Sequence, residues 1–267
     1  MADAVRPRVV DRRFAPMGAT ELLLVRHGQS AANVAAAYAE SIGAEQIDVP
    51  ARDADVELSD TGLEQARALG VWLAGLPAAH RPQAVWSSPY RRAADTARTA
   101  LAESGLDVPL LLDERLRDRD LGITDTLTSA GVRARYPEEA ERRRWLGKFY
   151  HRPPGGESWA DVALRVRSVL ADLERQDSAD RVLITCHDAV VLLFRYVCEH
   201  LGETEVLAIG RDEGVRNAAV TQLVADGDGW RLAGYNVEEH LAEQGAATTE
   251  ERPVGEAPKA GAAEGHA

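Results

Sequence analysis

The sequence predicts an α/β protein, specifically a three-layer α/β/α sandwich around a mostly parallel sheet. Short apolar runs without polar alternation are typical of strands that are buried on both faces of such a sheet. These runs alternate along the chain with segments of helical spacing, and alternating strands and helices place helices on both faces. The predicted strands are 20–26, 84–88, 110–112 and 181–186.

Each predicted strand is followed by a segment that favours a helix. The alanine-rich stretch 31–39 predicts a helix after the first strand, and Ser59 can cap the helix that starts near Asp60. Between these two helices, residues 40–57 are polar and lack periodicity, and a loop of this length in a compact domain is often functional. Further helices are predicted through Arg92 to Ala100, at 129–135 and 138–146, from Ser158 to Leu173, and from 188 to about 200.

The end of the chain predicts a β-hairpin and then a loss of structure. Residues 216–224 and 230–235 form the predicted hairpin strands, joined by a glycine-rich turn. Everything from 243 to 267 has few apolar side chains and predicts a disordered tail that can be removed without loss of activity. With residues 1–18 as a flexible arm, the predicted domain is 19–242.

Composition restricts the possible partners and the compartment. The 267 residues are 45% hydrophobic, enough for a sizeable core, and the net charge of −12 makes nucleic acid or an anionic membrane a poor partner. We expect neither a secretory signal nor a membrane span, because no apolar run is long enough. The two cysteines, Cys186 and Cys198, lie in apolar surroundings, which favours buried thiols in a reducing compartment and a cytoplasmic location.

Two of the predicted strands end in a histidine, and a third ends beside a pair of arginines. Parallel strands bring their carboxyl ends to one edge, so Arg26, His27, His187 and either Arg91 or Arg92 are expected to converge there. Arginine offers charged, forked donors to phosphate oxygens, and a neutral imidazole offers a nucleophile. Nearby positive charge would lower the pKa of His27 and keep it neutral. The acidic residues show no metal-ligand spacing, so no metal or other cofactor is expected.

Three motifs together resemble the histidine phosphatase, or phosphoglycerate mutase-like, superfamily. They are Leu-Val-Arg-His-Gly-Gln-Ser-x-x-Asn at 24–33, Ser-Ser-Pro-Tyr-Arg-Arg-Ala-Ala-Asp-Thr-Ala at 87–97, and Cys-His at 186–187. The resemblance covers roughly residues 20–225 and implies the phosphoglycerate mutase-like fold.

The resemblance also implies roles for individual residues. His27 would become the phosphohistidine, with Ser30 and Asn33 close to the phosphate. Arg92, rather than its neighbour Arg91, matches the family's arginine. It would hold the phosphoryl oxygens together with Arg26 and His187.

Two aspartates compete for the role of general acid. Asp118 takes the position of a family glutamate, in Leu-Arg-Asp-Arg-Asp-Leu-Gly at 116–122, and is preferred. Asp188 directly follows the second histidine, as in the acid phosphatase branch, where that aspartate donates the proton. A structural alternative is that Asp188 only caps the helix after the strand.

The second half of the chain resembles the fructose-2,6-bisphosphatase domain and its bacterial and fungal relatives. That resemblance implies that Arg143, Lys148 and Glu157 contact the substrate. A structural alternative for 142–144 is a solvated helix face paired with the acidic residues of 138–141. The chain departs from that domain at several substrate-reading positions, which argues against fructose 2,6-bisphosphate itself. These positions are Ser129, Trp159, Asp188 and Leu192.

The function predicted on these grounds is a metal-independent phosphatase that acts on phosphate monoesters of small metabolites. Sugar phosphates are one candidate class of substrate. Two alternatives remain open at this point. One is a phosphoglycerate mutase-type phosphotransfer, which uses the same histidine chemistry. The other is a non-catalytic binding protein on the same fold. Nothing in the sequence indicates the oligomeric state.

Overall fold

The computed structural model describes residues 18–49, 52–175, 179–227 and 229–250. Within these ranges one six-stranded sheet has the order β3-β2-β4-β1-β5-β6. The first four strands in this order are parallel, and β5 and β6 extend the sheet as an antiparallel hairpin beside β1. The strands are β1 (Glu21–Arg26), β2 (Ala84–Ser87), β3 (Leu110–Leu112), β4 (Arg181–Cys186), β5 (Val220–Asp226) and β6 (Gly229–Val237).

Several helices begin at a capping serine or threonine. Ser59 accepts a hydrogen bond from the backbone of Gly62, and Ser158 accepts one from Asp161, so a capping serine precedes each of the two longest helices in the described residues. The helices are α1 (Ala31–Ser41), α2 (Asp60–Gly75), α3 (Arg91–Ser104), α4 (Ser129–Arg135), α5 (Pro137–Leu146), α6 (Trp159–Arg175), α7 (Asp188–Cys198), α8 (Glu203–Asp212) and α9 (Glu239–Glu243).

Helices cover both faces of the sheet, which confirms the predicted three-layer sandwich. Along β1, Leu22 and Leu24 pack into a core with α6 and α7. The alternate residues Leu23 and Val25 pack on the other face, against α2 and α3. A strand that is buried on both faces favours successive apolar residues, which explains the runs Leu22–Val25 in β1 and Val182–Ile184 in β4.

The sheet brings the ends of β1, β4 and β2 to the same level. The backbone N–H of His27 donates to the Cys186 carbonyl at 2.9 Å, and that of Ser88 donates to Thr185 at 2.9 Å. The residues that follow these three strands therefore leave the sheet side by side. This edge is where a doubly covered parallel sheet binds its ligands.

Three expectations from the sequence need correction. Strand β5 begins at Val220 instead of 216, because Ala218 adopts a positive φ of 55° and turns the chain before the strand. Helices α8 and α9 were not predicted at all. Residues 244–250, assigned to a disordered tail, pack against the domain, with Ala246 buried beside Leu241. The remainder of that tail and residues 1–17 of the arm lie outside the described residues.

Two further findings concern the described residues. No helix in these ranges is both long and apolar enough to cross a membrane. Cys186 and Cys198 are both buried free thiols, and burial raises the pKa of each one.

Candidate active site

His27 lies at the carboxyl end of β1, and its hydrogen bonds define which ring nitrogen carries the proton. Its Nδ1 lies 2.7 Å from the Gly28 carbonyl, an acceptor, so Nδ1 is the protonated nitrogen. Its Nε2 accepts a hydrogen bond from Nε of Arg92 at 3.1 Å. Burial lowers the pKa of His27 well below its usual value, and the charges of Arg92 and Arg26 lower it further. The ring is therefore neutral, and in the free site its Nε2 lone pair accepts from Arg92 at the inner end of the cavity.

Close backbone packing holds the segment that follows His27. A Cβ on Gly28 would come within 2.5 Å of the Gly62 carbonyl oxygen, and a Cβ on Gly62 would collide with the Gln29 carbonyl. The Gly28 N–H donates to the hydroxyl of Thr96 at 3.0 Å. Glycine is required at both positions because two backbone segments touch there, one of them the first turn of α2.

Arg92 is buried in the first turn of α3, and every nitrogen of its guanidinium donates a hydrogen bond. Nε contacts His27, and Nη1 donates to both the carbonyl oxygen and Oδ1 of Asp53, at 2.7 and 2.9 Å. Nη2 donates to Oδ2 of Asp118 at 2.8 Å. Two carboxylates therefore occupy the donors that a phosphoryl group would use.

His187 follows β4 and is completely buried beside His27, outside the residues that line the cavity. Its ring centroid is 5.2 Å from that of His27. Its Nε2 lies 2.9 Å from the hydroxyl of Ser88, and its Nδ1 is 3.2 Å from Oδ2 of Asp118. Burial lowers the pKa of His187, although Asp118 opposes this shift, so the ring is neutral.

The two candidate acids occupy different environments. Burial would raise the pKa of Asp118, but its contact with His187 and the charge of Arg92 outweigh burial and hold the pKa well below its usual range. Asp188 also lines the cavity, as the first residue of α7. The residue at the N-cap position of α7 is His187, and Asp188 is the first helical residue. The alternative that Asp188 caps this helix is therefore wrong.

Charges at the inner end of the cavity balance one another. Arg26 and Arg92 contribute two positive charges, and Asp53 and Asp118 contribute two negative charges, while both histidines are neutral. Arg26 is buried and donates from Nη1 to the Val215 carbonyl. A phosphate dianion that entered this space would compete with the two carboxylates for the arginines, and its charge would raise the pKa of Asp118.

Ser30 and Asn33 line the cavity but are bonded to each other. The Ser30 hydroxyl accepts from the Asn33 backbone N–H at 3.2 Å, and Oδ1 of Asn33 accepts from the Ser30 backbone at 2.9 Å. This reciprocal pair is a capping box at the start of α1. The structure thus gives both residues a structural role, and their contact with phosphate stays a prediction.

The whole cavity has a volume of about 640 Å³, and the part away from His27 mixes basic with apolar side chains. Arg143 and Lys148 both line it, and the Lys148 ammonium lies 5.3 Å from the centre of the Trp159 ring. Their predicted contact with the substrate stays a prediction. Arg119 lines it as well, and burial followed by the nearby charge of Arg143 lowers the pKa of Arg119. The apolar wall includes Val49, Leu121, Leu127, Val132 and Leu192.

Glu157, predicted to bind substrate, is absent from the cavity lining. Its carboxylate instead pairs with Arg117 at 2.6 Å and with Arg165 at 2.9 Å, and it accepts from the backbone of Asp120 at 3.2 Å. Glu157 thus connects the loop after β3 to α6, and the prediction that it contacts the substrate is corrected.

The arginines of 142–144 do not share one role. Arg143 lines the cavity, whereas Arg144 pairs with Glu141 at 2.9 Å on an exposed helix face.

Sequence reasoning missed three residues of this site: Asp53, Arg119 and Ser88. Asp53 lies on a 3₁₀ turn inside a loop without periodicity, so no pattern singled it out. Ser88 was noted only as part of a motif, and its bond to His187 depends on the pairing of β2 with β4. Among the described residues, no cluster of three or more histidine, cysteine or acidic side chains could hold a metal ion.

Comparison with known proteins gives a match to a family model and to several individual proteins. Residues 22–238 match the family model described as histidine phosphatase superfamily (branch 1). One relative is a protein from Gloeobacter violaceus named 2,3-bisphosphoglycerate-dependent phosphoglycerate mutase 2. It is 32% identical over 191 residues, which cover 69% of this chain and 78% of that protein.

Two further proteins extend the comparison. The 6-phosphofructo-2-kinase/fructose-2,6-bisphosphatase of Gallus gallus is 32% identical over 157 residues, covering 58% of this chain but only 31% of that longer protein. Among solved structures, a mycobacterial glucosyl-3-phosphoglycerate phosphatase in complex with VO3 has a TM-score of 0.63 and is 30% identical in sequence. That alignment covers 82% of this chain and 100% of the other.

Proposed function

The chain belongs to branch 1 of the histidine phosphatase superfamily, and on this basis we propose that it hydrolyses phosphate monoesters of small metabolites through a phosphohistidine on His27. The observation that carries the proposal is the hydrogen bonding of the His27 ring. With Nδ1 held by the Gly28 carbonyl and Nε2 facing Arg92, the ring presents a neutral lone pair where a phosphoryl group would meet the arginines.

On substrate binding, Nε of Arg92 exchanges its hydrogen bond to His27 for one to a phosphoryl oxygen, which frees the Nε2 lone pair. In the first step, Nε2 of His27 attacks phosphorus, and the bond between phosphorus and the leaving oxygen breaks. Arg26, Arg92 and His187 donate to the equatorial oxygens, which is most of the catalysis that such a reaction needs from a protein. Asp118 donates a proton to the leaving oxygen. It is ionised in the free site, but the negative charge of the substrate raises its pKa and favours the protonated form.

In the second step, water attacks the phosphohistidine and the nitrogen–phosphorus bond breaks. Asp118, ionised after the first step, accepts the proton of the attacking water. His27 returns to its neutral form, and inorganic phosphate leaves. Asp118 is preferred to Asp188 because its carboxylate lies 2.8 Å from Arg92 and 3.2 Å from His187, beside the groups that hold the phosphoryl oxygens.

The outer cavity supports a substrate that carries a second anionic group. Arg119 and Arg143 are close enough for their charges to repel, and Lys148 lines the same region. A carboxylate or a second phosphate bound between these cations would relieve that repulsion. The apolar wall and a volume of about 640 Å³ fit a small metabolite, since ligand cavities are commonly of this size.

The central test is whether His27 becomes phosphorylated. Wild-type protein, mixed briefly with an aryl phosphate and quenched under alkaline conditions, is expected to show phosphohistidine on the peptide containing His27 by mass spectrometry, together with release of phosphate. His27→Ala is expected to lose both signals. Phosphate release that survives in His27→Ala would contradict the proposal, and a wild type without either signal would favour a binding protein on the same fold.

A panel of sugar phosphates, phosphoglycerates and nucleotides would test the second anionic group. Ranked by kcat/KM, esters with a second phosphate or carboxylate should exceed matched esters without one. Arg143→Gln should reduce that preference, whereas Arg142→Gln, an exposed residue outside the cavity lining, should not. Equal effects of the two variants would contradict the assignment.

Phosphotransfer of the mutase type is a second candidate, because one relative carries a mutase name. A mutase keeps the phosphohistidine from water and returns the phosphoryl group to another position of the substrate. Incubation with 3-phosphoglycerate separates the two activities: a phosphatase releases inorganic phosphate, and a mutase yields 2-phosphoglycerate without net release.

We also infer a cytoplasmic location and no nucleic-acid partner for this enzyme. The buried free thiols of Cys186 and Cys198 support a reducing compartment. The net charge of −12 opposes binding to nucleic acid.

A further inference from the structure

The segment 244–250, called the C-terminal strap here, leaves α9 and runs behind the loop that carries His27. Gly245, with φ at +68°, ends the helix in a left-handed turn. In that turn the Ala246 N–H donates to Leu241 at 2.9 Å, and the Gly245 N–H donates to Ala242 at 3.1 Å. This pair of bonds is a Schellman motif, which redirects the chain toward α2.

Thr249 of the strap bridges two buried amide side chains. Its hydroxyl donates to Oδ1 of Asn217 at 2.9 Å and accepts from Nε2 of Gln65 at 2.9 Å. The backbone adds two more bonds, because the Asn217 N–H donates to the Thr249 carbonyl at 3.0 Å and Gln65 donates to the Ala247 carbonyl at 2.7 Å. Asn217 is 1% exposed and Gln65 is completely buried.

The same two amides hold the backbone on either side of Gly28. Nδ2 of Asn217 donates to the His27 carbonyl at 3.0 Å, and Oε1 of Gln65 accepts from the Gln29 N–H at 2.8 Å. An amide has one donor end and one acceptor end. The Thr249 hydroxyl bonds to the oxygen of Asn217 and to the nitrogen of Gln65. The nitrogen of Asn217 and the oxygen of Gln65 therefore point to the loop.

We propose that the C-terminal strap is a positioning element for the nucleophile and that Thr249 is its key residue. The inference rests on the proposed role of His27. Thr249 does not contact the reacting atoms: it fixes the orientation of Asn217 and Gln65, and these fix the backbone at positions 27–29. The loop lies between these amides and the close contact of Gly28 with Gly62, so its position is determined from both sides.

The reason for such support is the geometry of the attack. Nε2 of His27 must approach phosphorus in line with the leaving oxygen, and a misplacement of about 1 Å can reduce the rate about a hundredfold. Substrate binding depends mainly on the arginines and the outer cavity. Release of the strap should therefore lower kcat and leave KM almost unchanged.

Three variants of the full chain test the proposal. Thr249→Val keeps the shape of the side chain and removes both hydroxyl bonds, and Thr249→Ser restores the hydroxyl. Thr248→Val makes the same chemical change at the neighbouring exposed residue. We expect Thr249→Val to lower kcat and the rate of phosphohistidine formation by about tenfold, because Nε2 of His27 would be displaced by well below 1 Å. KM should stay within about twofold of the wild-type value. Thr249→Ser and Thr248→Val should match the wild type.

Amide hydrogen exchange of the peptide containing residues 27–29 gives a readout that does not need activity. It should be faster in Thr249→Val than in Thr248→Val, although both proteins are folded. If the wild type lacks phosphatase activity, the proposed function fails while the exchange result still decides whether the strap supports the loop. Unchanged exchange and unchanged kcat in a folded Thr249→Val would overturn the inference, as would a lower melting temperature with no effect on kcat.

Discussion

Asp53 offers a sharp test of how the free site is organised. Its carboxylate and carbonyl occupy Nη1 of Arg92 at 2.9 and 2.7 Å, so a phosphate ion must compete with Asp53 for this guanidinium. Asp53→Asn removes the charge and keeps the size of the side chain. We therefore expect inorganic phosphate to bind the variant more tightly than the wild type.

The magnitude follows from the exposure of the pair. Arg92 is 4% exposed, but the Asp53 side chain is 40% exposed, so solvent screens the attraction. We therefore assign the attraction between Asp53 and Arg92 about 1 to 1.4 kcal/mol, a value between those of exposed ion pairs and of buried charged hydrogen bonds. It corresponds to about a five- to tenfold lower inhibition constant for phosphate.

The assay is competitive inhibition of aryl phosphate hydrolysis by inorganic phosphate at pH 7. Asp55→Asn is the matched control, because Asp55 lies on the same 3₁₀ turn, is 58% exposed and pairs with Arg52 instead. The inhibition constant of the control should equal that of the wild type. An unchanged or weaker inhibition of Asp53→Asn would refute the reasoning and show that Asp53 supports Arg92 when phosphate is bound.

Other predictions address the acid, the buried histidine and the strap. Asp118→Asn should lower kcat strongly for alkyl phosphates and little for aryl phosphates, whose leaving group needs less protonation; the same pattern in Asp188→Asn instead would reverse the assignment. Because the pKa of His27 is lowered on folding, the unfolded chain binds more protons, so its contribution makes stability fall as pH drops below about 6.5. Urea unfolding of His27→Ala should show a shallower decline over that range. A chain that ends at Glu243 should lose at least about tenfold in kcat relative to one that ends at Glu250, from the same misplacement of the nucleophile; equal rates would restore the interpretation of this segment as a dispensable tail.

Much of the fold could be predicted because the sheet imposes a strong pattern on the sequence. The central strands β1 and β4 are apolar at successive positions and stop at charged or aromatic residues, so their ends could be placed within a residue. Once these ends were known, the topology of a parallel sheet predicted that His27 and His187 converge. The observed ring separation of 5.2 Å agrees with that prediction.

The parts that could not be predicted depend on contacts between distant segments. Thr249 lies 184 residues from Gln65 in sequence, and no local pattern distinguishes it from Thr248 beside it. A segment with few apolar side chains can still be held in place when buried amides bond to its backbone. Glu157 shows the opposite case, because a residue placed near the substrate by resemblance is committed to Arg117 and Arg165.

The balanced charges at the inner end of the cavity have a consequence for how fast a substrate arrives. Two arginines matched by two carboxylates create little attraction at a distance, and the chain as a whole carries a net charge of −12. An anionic substrate is therefore repelled until it reaches the mouth of the cavity. Added salt screens that repulsion, so kcat/KM for a diffusion-sensitive substrate should rise with ionic strength at low salt, opposite to the behaviour of enzymes that draw their anions in by a positive field.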